Sequence, residues 1–376
     1  MLSQPPFWMF ILAFLCALGP LIFFHELGHY LVGRLFGVGA DAFSIGFGKE
    51  VLGWTDKRGT RWKVGWLPLG GYVKFVGDMN PASAPASPDE IAPEQRSRSF
   101  HLKPVWQRFL IVLAGPATNF LIAILIFAAF FSTSGAPRTL NLVRDVASGG
   151  PAERAGFRPG DRIIGVAERS TPTFEDVTQA VILRPGQRVP VEVLREGLPL
   201  TIQVKLDSVT VEDKFGERAV LGRLGVEGGP REFVRLPIYE ALPAAVVQTY
   251  RLTGTMIDAL GQIITGQRSV KELGGPLKIA QVAGQQASLG LFQFAILIAL
   301  MSINLGFINL LPVPMLDGGH LLFYGVEAVR RRPVSARTMD WAFRGGLAAI
   351  LALLLLTTTN DLGSFGVWDR LGRLIG

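Results

Sequence analysis

Two histidines four residues apart flank a glutamate in His25-Glu26-Leu27-Gly28-His29. Residues four apart share one face of a helix, so both imidazoles can offer a nitrogen to one cation. Glu26 lies a single step round from His25. It can reach a cation-bound water without being a ligand itself. Two ligands and a general base are the division of labour of zinc-dependent peptide hydrolysis. The surrounding run, Leu21 to Val32, is otherwise apolar. Polar groups of this kind at membrane depth cost about 2–3 kcal/mol each when charged. The structural alternative is a polar cluster that hydrogen-bonds between helices.

Zinc requires at least a third protein ligand. The chain has four histidines in all. His101 lies in a basic loop with no partner pattern around it and reads as a solvated residue. A better candidate stands in Asn309-Leu310-Leu311-Pro312-Val313-Pro314-Met315-Leu316-Asp317-Gly318-Gly319-His320. Two prolines break a helix there, and Asp317 falls at the break with two glycines behind it. Broken backbone at membrane depth is tolerated only inside protein or beside a water-filled cavity. Asp317 is the favoured third ligand, leaving a fourth position open for water. His320 is the rival ligand, or else an outer hydrogen-bond partner or a residue of the membrane interface. The single cysteine, Cys16, lies in an apolar run, which excludes an internal disulfide and a cysteine metal site.

The elements that must position these residues are membrane spans. Charged residues make up 18% of the 376, and mean hydropathy is +0.35. Phe7 to Phe24, Phe109 to Phe131 and Leu289 to Leu316 carry no charge. Gly345 to Thr359 is shorter and reaches spanning length with Trp341 to Phe343 added; about 20 residues cross a bilayer core. The first run lacks a basic leader region and a small-residue cleavage site, so it does not read as a signal peptide. Basic residues crowd two loops: Arg34 to Arg108 between the first two spans, and Arg330, Arg331, Arg332 and Arg337 between the last two. Both loops are expected on the cytoplasmic side. Both termini and the segment from about Ser132 to Ser288 then lie outside. The formal charge of +7 is thus a topology signal, and no nucleic-acid partner is expected.

Between the spans, Val51 to Trp54 and Arg61 to Trp66 read as strands joined by a turn at Asp56-Lys57-Arg58-Gly59. Gly70-Gly71 permits close backbone approach, and an edge strand here could pair with an unwound substrate. A plain interfacial anchor is the alternative. Pro81 to Glu94 reads as a linker. From Leu140 to Gly228 the chain predicts a short helix, a Pro-Gly-Asp turn at Pro159 to Asp161, an apolar strand, and a helix over Glu175 to Leu183. Strands over Val189 to Arg195 and Thr201 to Leu206 follow. This order resembles bacterial protease-attached PDZ domains, which bind extended peptide ends. Gly222 to Val226 is either a peptide-binding loop or a closing strand. Pro230 to Gly290 is a linker or an amphipathic region with helices at Phe233 to Pro237 and Ala241 to Ile264.

Taken with Asn309-x-x-Pro312-x-Pro314-x-Leu316-Asp317-Gly318, the histidine motif resembles the site-2 protease family of intramembrane zinc metalloproteases, in its RseP-like, regulator-of-sigma-E form. Gly46-Phe47-Gly48 and Gly70 to Phe75 resemble that family's membrane-reentrant β-hairpin. Gly115-Pro116-x-x-Asn119 resembles its second-span motif. The resemblance implies a four-span α-helical membrane protein with a membrane-associated β-hairpin and one periplasmic α+β PDZ domain. Its expected divisions are a first helix to residue 36, a loop over 37–104 and a second helix over 105–132. A PDZ domain over 137–229 and an amphipathic segment over 230–290 follow. The third helix is expected over 291–320, a basic loop over 321–340, the fourth helix over 341–360 and a tail over 361–376.

The same resemblance implies Zn2+ held by His25, His29 and Asp317, with Glu26 as catalytic base. It implies substrate contacts from Asn309 and Asn304, with Gly70, Gly71 and Tyr72 on the hairpin. The implied partners are the lipid bilayer of a bacterial inner membrane and a membrane-protein substrate, a single-span anti-sigma factor or a remnant signal peptide. A peptide ligand of the PDZ domain is a further expectation. Well-known members carry two tandem PDZ domains, whereas this chain has room for one. A catalytically inactive PDZ scaffold and a transporter are the rival functions; no internal repeat supports the transporter.

Overall fold

Apolar runs too long for a globular core become the long helices. A computed structural model describes residues 6–78, 93–212, 218–266 and 274–364. Four helices in it are long and apolar enough to cross a membrane. They are α1 (Phe7–Leu35), α2 (Val105–Thr133), α7 (Leu291–Leu310) and α9 (Ala336–Ser364). Between them lie α3 (Pro151–Ala155), α4 (Phe174–Ile182), α5 (Ile238–Ile264), α6 (Pro276–Ser288) and α8 (Asp317–Arg330). The chain divides into two compact units: residues 1–128 with 242–376, and residues 129–241.

In the first unit, β1 (Ala40–Thr55) and β2 (Arg61–Phe75) are much longer than the sequence suggests. Each folds back on itself, so Phe43 sits opposite Val73 on one side and Trp62 on the other. Four strand segments result, in the order 50–55, 61–65, 40–45 and 71–75. Segment 71–75 is an edge; among the described residues no strand pairs with its other side. Phe43, Val73, Phe75, Phe100, Ile111 and Tyr324 are buried together with Tyr30 of α1, in a core that ties the sheet to α1, α2 and α8. The far end of the sheet presents Val51, Leu52, Trp54 and Trp66, each more than half exposed. Asp361 of α9 accepts N–H bonds of 3.0 Å from Gly275 and from Lys278, capping the start of α6.

Several expectations change here. The third span does not run to His320: α7 ends at Leu310, and α8 begins at Asp317. Two prolines end the ladder, and the glycines of the first α8 turn pack against the carbonyls of Leu310, Leu311 and Val313. Much of the expected basic loop is therefore helix. His101 is not solvated: its Nε2 lies 2.8 Å from Asp78 Oδ1, and its side chain is 13% exposed. The partner sits 23 positions earlier and across a fold, where no local pattern could show it. Most of the expected linker, and the tail after residue 364, lie outside the described residues.

The second unit contains β3 (Ala136–Thr139), β4 (Val143–Val146), β5 (Arg162–Val166) and β6 (Arg169–Ser170). It continues with β7 (Arg188–Arg195), β8 (Leu198–Lys205), β9 (Asp207–Glu212), β10 (Arg218–Arg223), β11 (Val226–Gly228) and β12 (Arg231–Val234). An antiparallel sheet in the order β6-β5-β7-β8 forms its centre. Alternation puts Val189, Val191 and Val193 on the inner face, opposite Ile202 and Val204. Helix α4 covers them with Val177, Ala180 and Val181 and begins with a Thr173–Asp176 capping box. Phe233 and Val234 do not start a helix. They form β12, paired with Pro137 and Ala136 of β3, a distant ladder that the short run does not announce. Gly222 and Arg223 end β10, Leu224 and Gly225 connect it to β11, and all four line a cavity beside α4, so the stretch is part strand and part connecting loop.

One ion pair fastens the turn before β5. Asp161 is buried, and both its oxygens lie 2.8 Å from Arg195 donors, while Arg158 N–H adds a bond of 2.9 Å. Burial alone would raise its pKa. The Arg195 bonds outweigh that and hold the carboxyl below its ordinary range. The folded pKa is thus lower than the unfolded one, so the pair's stabilisation is complete above about pH 4 and fades as pH falls through the lowered value. Asp161→Ala removes both bonds from Arg195, which keeps only the Gly156 carbonyl as acceptor here, and is expected to destabilise this unit by about 1.5–3 kcal/mol. Faster hydrogen exchange in β5 and β7 of the purified chain would report it, and unchanged protection would refute it.

Candidate active site

The site is assembled where α1, α2, α7 and the start of α8 meet. His25 and His29 lie on one face of α1, both buried, with Nε2 atoms 3.2 Å apart. Asp317 Oδ2 lies 3.2 Å from His25 Nε2 and 3.5 Å from His29 Nε2. Among the described residues, these three are the group whose donor atoms could hold a metal ion. Three donors bound to tetrahedral zinc at about 2.0–2.1 Å stand roughly 3.3 Å from one another. The triangle matches that spacing. Asp317 Oδ2 is buried and faces the two imidazole nitrogens across the space a cation would fill. The donor set therefore fits zinc. At the first position of α8, the carboxylate is also favoured by the helix dipole.

Each imidazole is held from behind. His29 Nδ1 lies 2.9 Å from the Ile111 carbonyl, an acceptor only, so that nitrogen carries the proton and Nε2 is left free. His25 Nδ1 lies 3.0 Å from the Asn119 amide. Close helix approach makes this geometry feasible. A Cβ on Gly115 would stand 2.2 Å from His29 Nε2, so no larger residue fits at that turn of α2.

A cavity of about 320 Å³ opens over the triangle. It is lined by Glu26 together with Asn309, Gly70, Gly71 and Tyr72. Asn309 Nδ2 lies 3.5 Å from His25 Nε2. Glu26 takes a hydrogen bond from the backbone N–H of Val73 in the edge segment. That segment can lie so near because Gly71 has no side chain: a Cβ there would stand 2.9 Å from Glu26 Cγ. Nearly all the residues expected at the site are thus brought together.

Asn304 is the exception. It is exposed on α7 and does not line the cavity. It stands five positions before Asn309, which on a helix is about 140° of rotation, so the two face different sides of α7. His320 lines the cavity wall but its ring packs on Phe343, at 5.1 Å, outside the donor triangle. The sequence reading missed the contacts of Asn119, Ile111 and Val73. Asn119 alone left a signal, as an amide in an apolar span; the other two act through backbone atoms, which no residue type announces.

The sequence profile described as Peptidase family M50 matches residues 13–353. The chain belongs to peptidase family M50. A protein of Mesorhizobium japonicum, provisionally named a zinc metalloprotease, is 42% identical over 94% of this chain and 98% of its own length. A similarly named protein of Agrobacterium fabrum is 41% identical over 94% and 96%. Metalloprotease MmpA of Caulobacter vibrioides is 37% identical over 98% and 99%. Two solved PDZ domains of SdrC-like proteins also match. That from Listeria monocytogenes covers 23% of this chain and 84% of its own at TM-score 0.18 and 17% identity. That from Listeria innocua covers 25% and 98% at TM-score 0.19 and 19% identity. This M50 chain is accordingly a zinc metalloprotease of the site-2 type.

Two substitutions separate the rival third ligands. Asp317→Ala is expected to weaken zinc binding by about 100-fold or more, because even outer-shell changes cost 10–100-fold. His320→Ala should leave zinc content near that of the unaltered protein. Metal analysis of the two purified variants checks this, and the reverse pattern would make His320 the ligand. Gly115→Ala should also lower zinc content, since the added methyl displaces the His29 ring.

Proposed function

We propose that this M50 protein hydrolyses peptide bonds in or next to transmembrane segments of other membrane proteins. The observation that carries the proposal is the donor triangle with Glu26 beside it, set among helices long and apolar enough to span a bilayer. His25, His29 and Asp317 would hold Zn2+, which when bound polarises the scissile carbonyl and acidifies a water. Glu26 accepts the water's proton and passes it to the departing amine. The Val73 N–H fixes the Glu26 carboxylate toward the cavity. Asn309 is placed to bond a substrate carbonyl or amide at the cavity wall.

The edge segment 71–75 supports a further part of this reading. A transmembrane helix hides its peptide bonds in its own ladder. A substrate unwound at the cavity could pair with the free side of 71–75, presenting an extended backbone beside Glu26. Tyr72 and the glycines before it would then touch substrate. The exposed aromatic end of the sheet suits a membrane-associated hairpin.

Charge placement supports a bacterial inner-membrane protein with the basic loops cytoplasmic and both termini and the second unit periplasmic. That unit is proposed to be a PDZ domain, with the groove between α4 and residues 222–227 taking an extended peptide. The substrate class proposed is a single-span protein, either an anti-sigma factor or a remnant signal peptide.

Glu26→Gln tests the mechanism. Zinc content should be unchanged, while cleavage of a single-span reporter protein in detergent or vesicles falls by at least the 10²–10⁴-fold attributed to general-base catalysis. Retained cleavage would remove Glu26 from the role. The inactive variant should also retain bound substrate long enough to be cross-linked, which identifies the substrate directly.

A further inference from the structure

Asn119 is fully buried in the middle of an apolar helix and carries more than its side chain's share of contacts. Its Nδ2 lies 3.0 Å from His25 Nδ1. Its Oδ1 is buried and has no hydrogen-bond partner. Its backbone carbonyl accepts a 2.7 Å bond from Ser302 Oγ, which is itself fully buried on α7. One residue of α2 therefore touches both the metal-site helix α1 and the helix that leads to Asp317.

The two histidines are supported differently, and the difference is chemical. A carbonyl behind His29 settles which nitrogen carries hydrogen. An amide behind His25 settles nothing by itself, because it can accept through oxygen or donate through nitrogen. His25 Nε2 is the atom 3.2 Å from His29 Nε2 and from Asp317 Oδ2, so it must face a bound cation as a lone pair. A neutral imidazole then has its one hydrogen on Nδ1, and that hydrogen needs an acceptor. The amide as placed donates to Nδ1, which suits a ring whose Nε2–H points at Asp317. A half-turn about the Asn119 Cβ–Cγ bond exchanges donor for acceptor and brings the unpartnered Oδ1 to Nδ1.

We propose that Asn119 is a positioning residue of the metal centre, whose Oδ1 accepts from His25 Nδ1–H and so fixes the ring with Nε2 toward the metal. The proposal rests on the reading of His25, His29 and Asp317 as ligands. It gives the amide two orientations, one for the metal-free ring tautomer and one for the loaded site.

The test is metal affinity of the full chain in detergent, read by competition with a chromophoric chelator for Zn2+ and for Co2+. Asn119→Leu keeps approximate shape and removes the acceptor; affinity should fall 10–100-fold. Asn119→Asp supplies an acceptor in either orientation and should restore most of that loss. Ser302→Ala removes the α7 bond and should lower the thermal midpoint with affinity unchanged. His29→Ala is the control for the underlying reading. If it leaves affinity intact, the three-ligand site itself is wrong. If it weakens binding while Asn119→Leu does not, only the role of Asn119 fails. Equal losses in Asn119→Leu and Asn119→Asp would likewise overturn it. A measurement on the unaltered protein needs no variant: 15N spectra of the zinc-loaded chain should show His25 Nδ1 protonated, and an unprotonated Nδ1 would refute the proposal.

Discussion

Three buried donor atoms, each within 3.5 Å of the next and supplied by two imidazoles and a carboxylate, set the terms for the rest of this molecule. The three atoms converge on one point at the wall of the cavity. Without a cation, such an arrangement is held by the surrounding helices against the tendency of polar groups to find other partners. The contacts around it read as devices for that purpose. Ile111 and Asn119 hold the rings from behind, Gly115 removes the bulk that would push His29 aside, and the α8 N-terminus favours a carboxylate at Asp317.

The same constraint explains how much could be read from residue types. His25, Glu26 and His29 are legible because helical periodicity turns a spacing of four into a shared face. Asp317 is legible because proline and glycine mark a break that a membrane helix would otherwise avoid. What stayed hidden depends on distant backbone. Val73 N–H reaches Glu26 only after β1 and β2 double back into four segments, a fold that Gly46, Gly48 and Gly70 permit with positive φ angles but do not dictate. His101 finds Asp78 by the same folding. Asn304 failed for the opposite reason: the residue type was right for a substrate contact, but helical rotation turned it outward. In the second unit, the strands over Val189 to Arg195 and Thr201 to Leu206 were legible between their turns, while the short apolar run at Phe233, read as helix or linker, is a strand only because a distant partner pairs with it.

The break between α7 and α8 is the least obvious of these features and the one with the clearest geometric cause. Had α7 continued as a helix, residue 317 would stand eight positions past Asn309, about 12 Å further along the axis. It would have left the level of the histidines altogether. Ending the helix at Leu310 and turning through two prolines lets the chain fall back, so that Asn309 and Asp317 line one cavity. The turn uses a non-glycine residue, Met315, at φ +83°, a conformation that L-residues adopt at a cost of order 1–3 kcal/mol. Gly318 and Gly319 then let the first turn of α8 press against the carbonyls left by the broken ladder. The Arg108–Glu327 ion pair at 2.7 Å, with Arg108 over the Tyr324 ring, binds the body of α8 to the base of α2. A ligand delivered on the first residue of a helix is only as well placed as that helix. Here the helix is anchored to α2, the element that also supports both imidazoles, so the three donors share one reference frame.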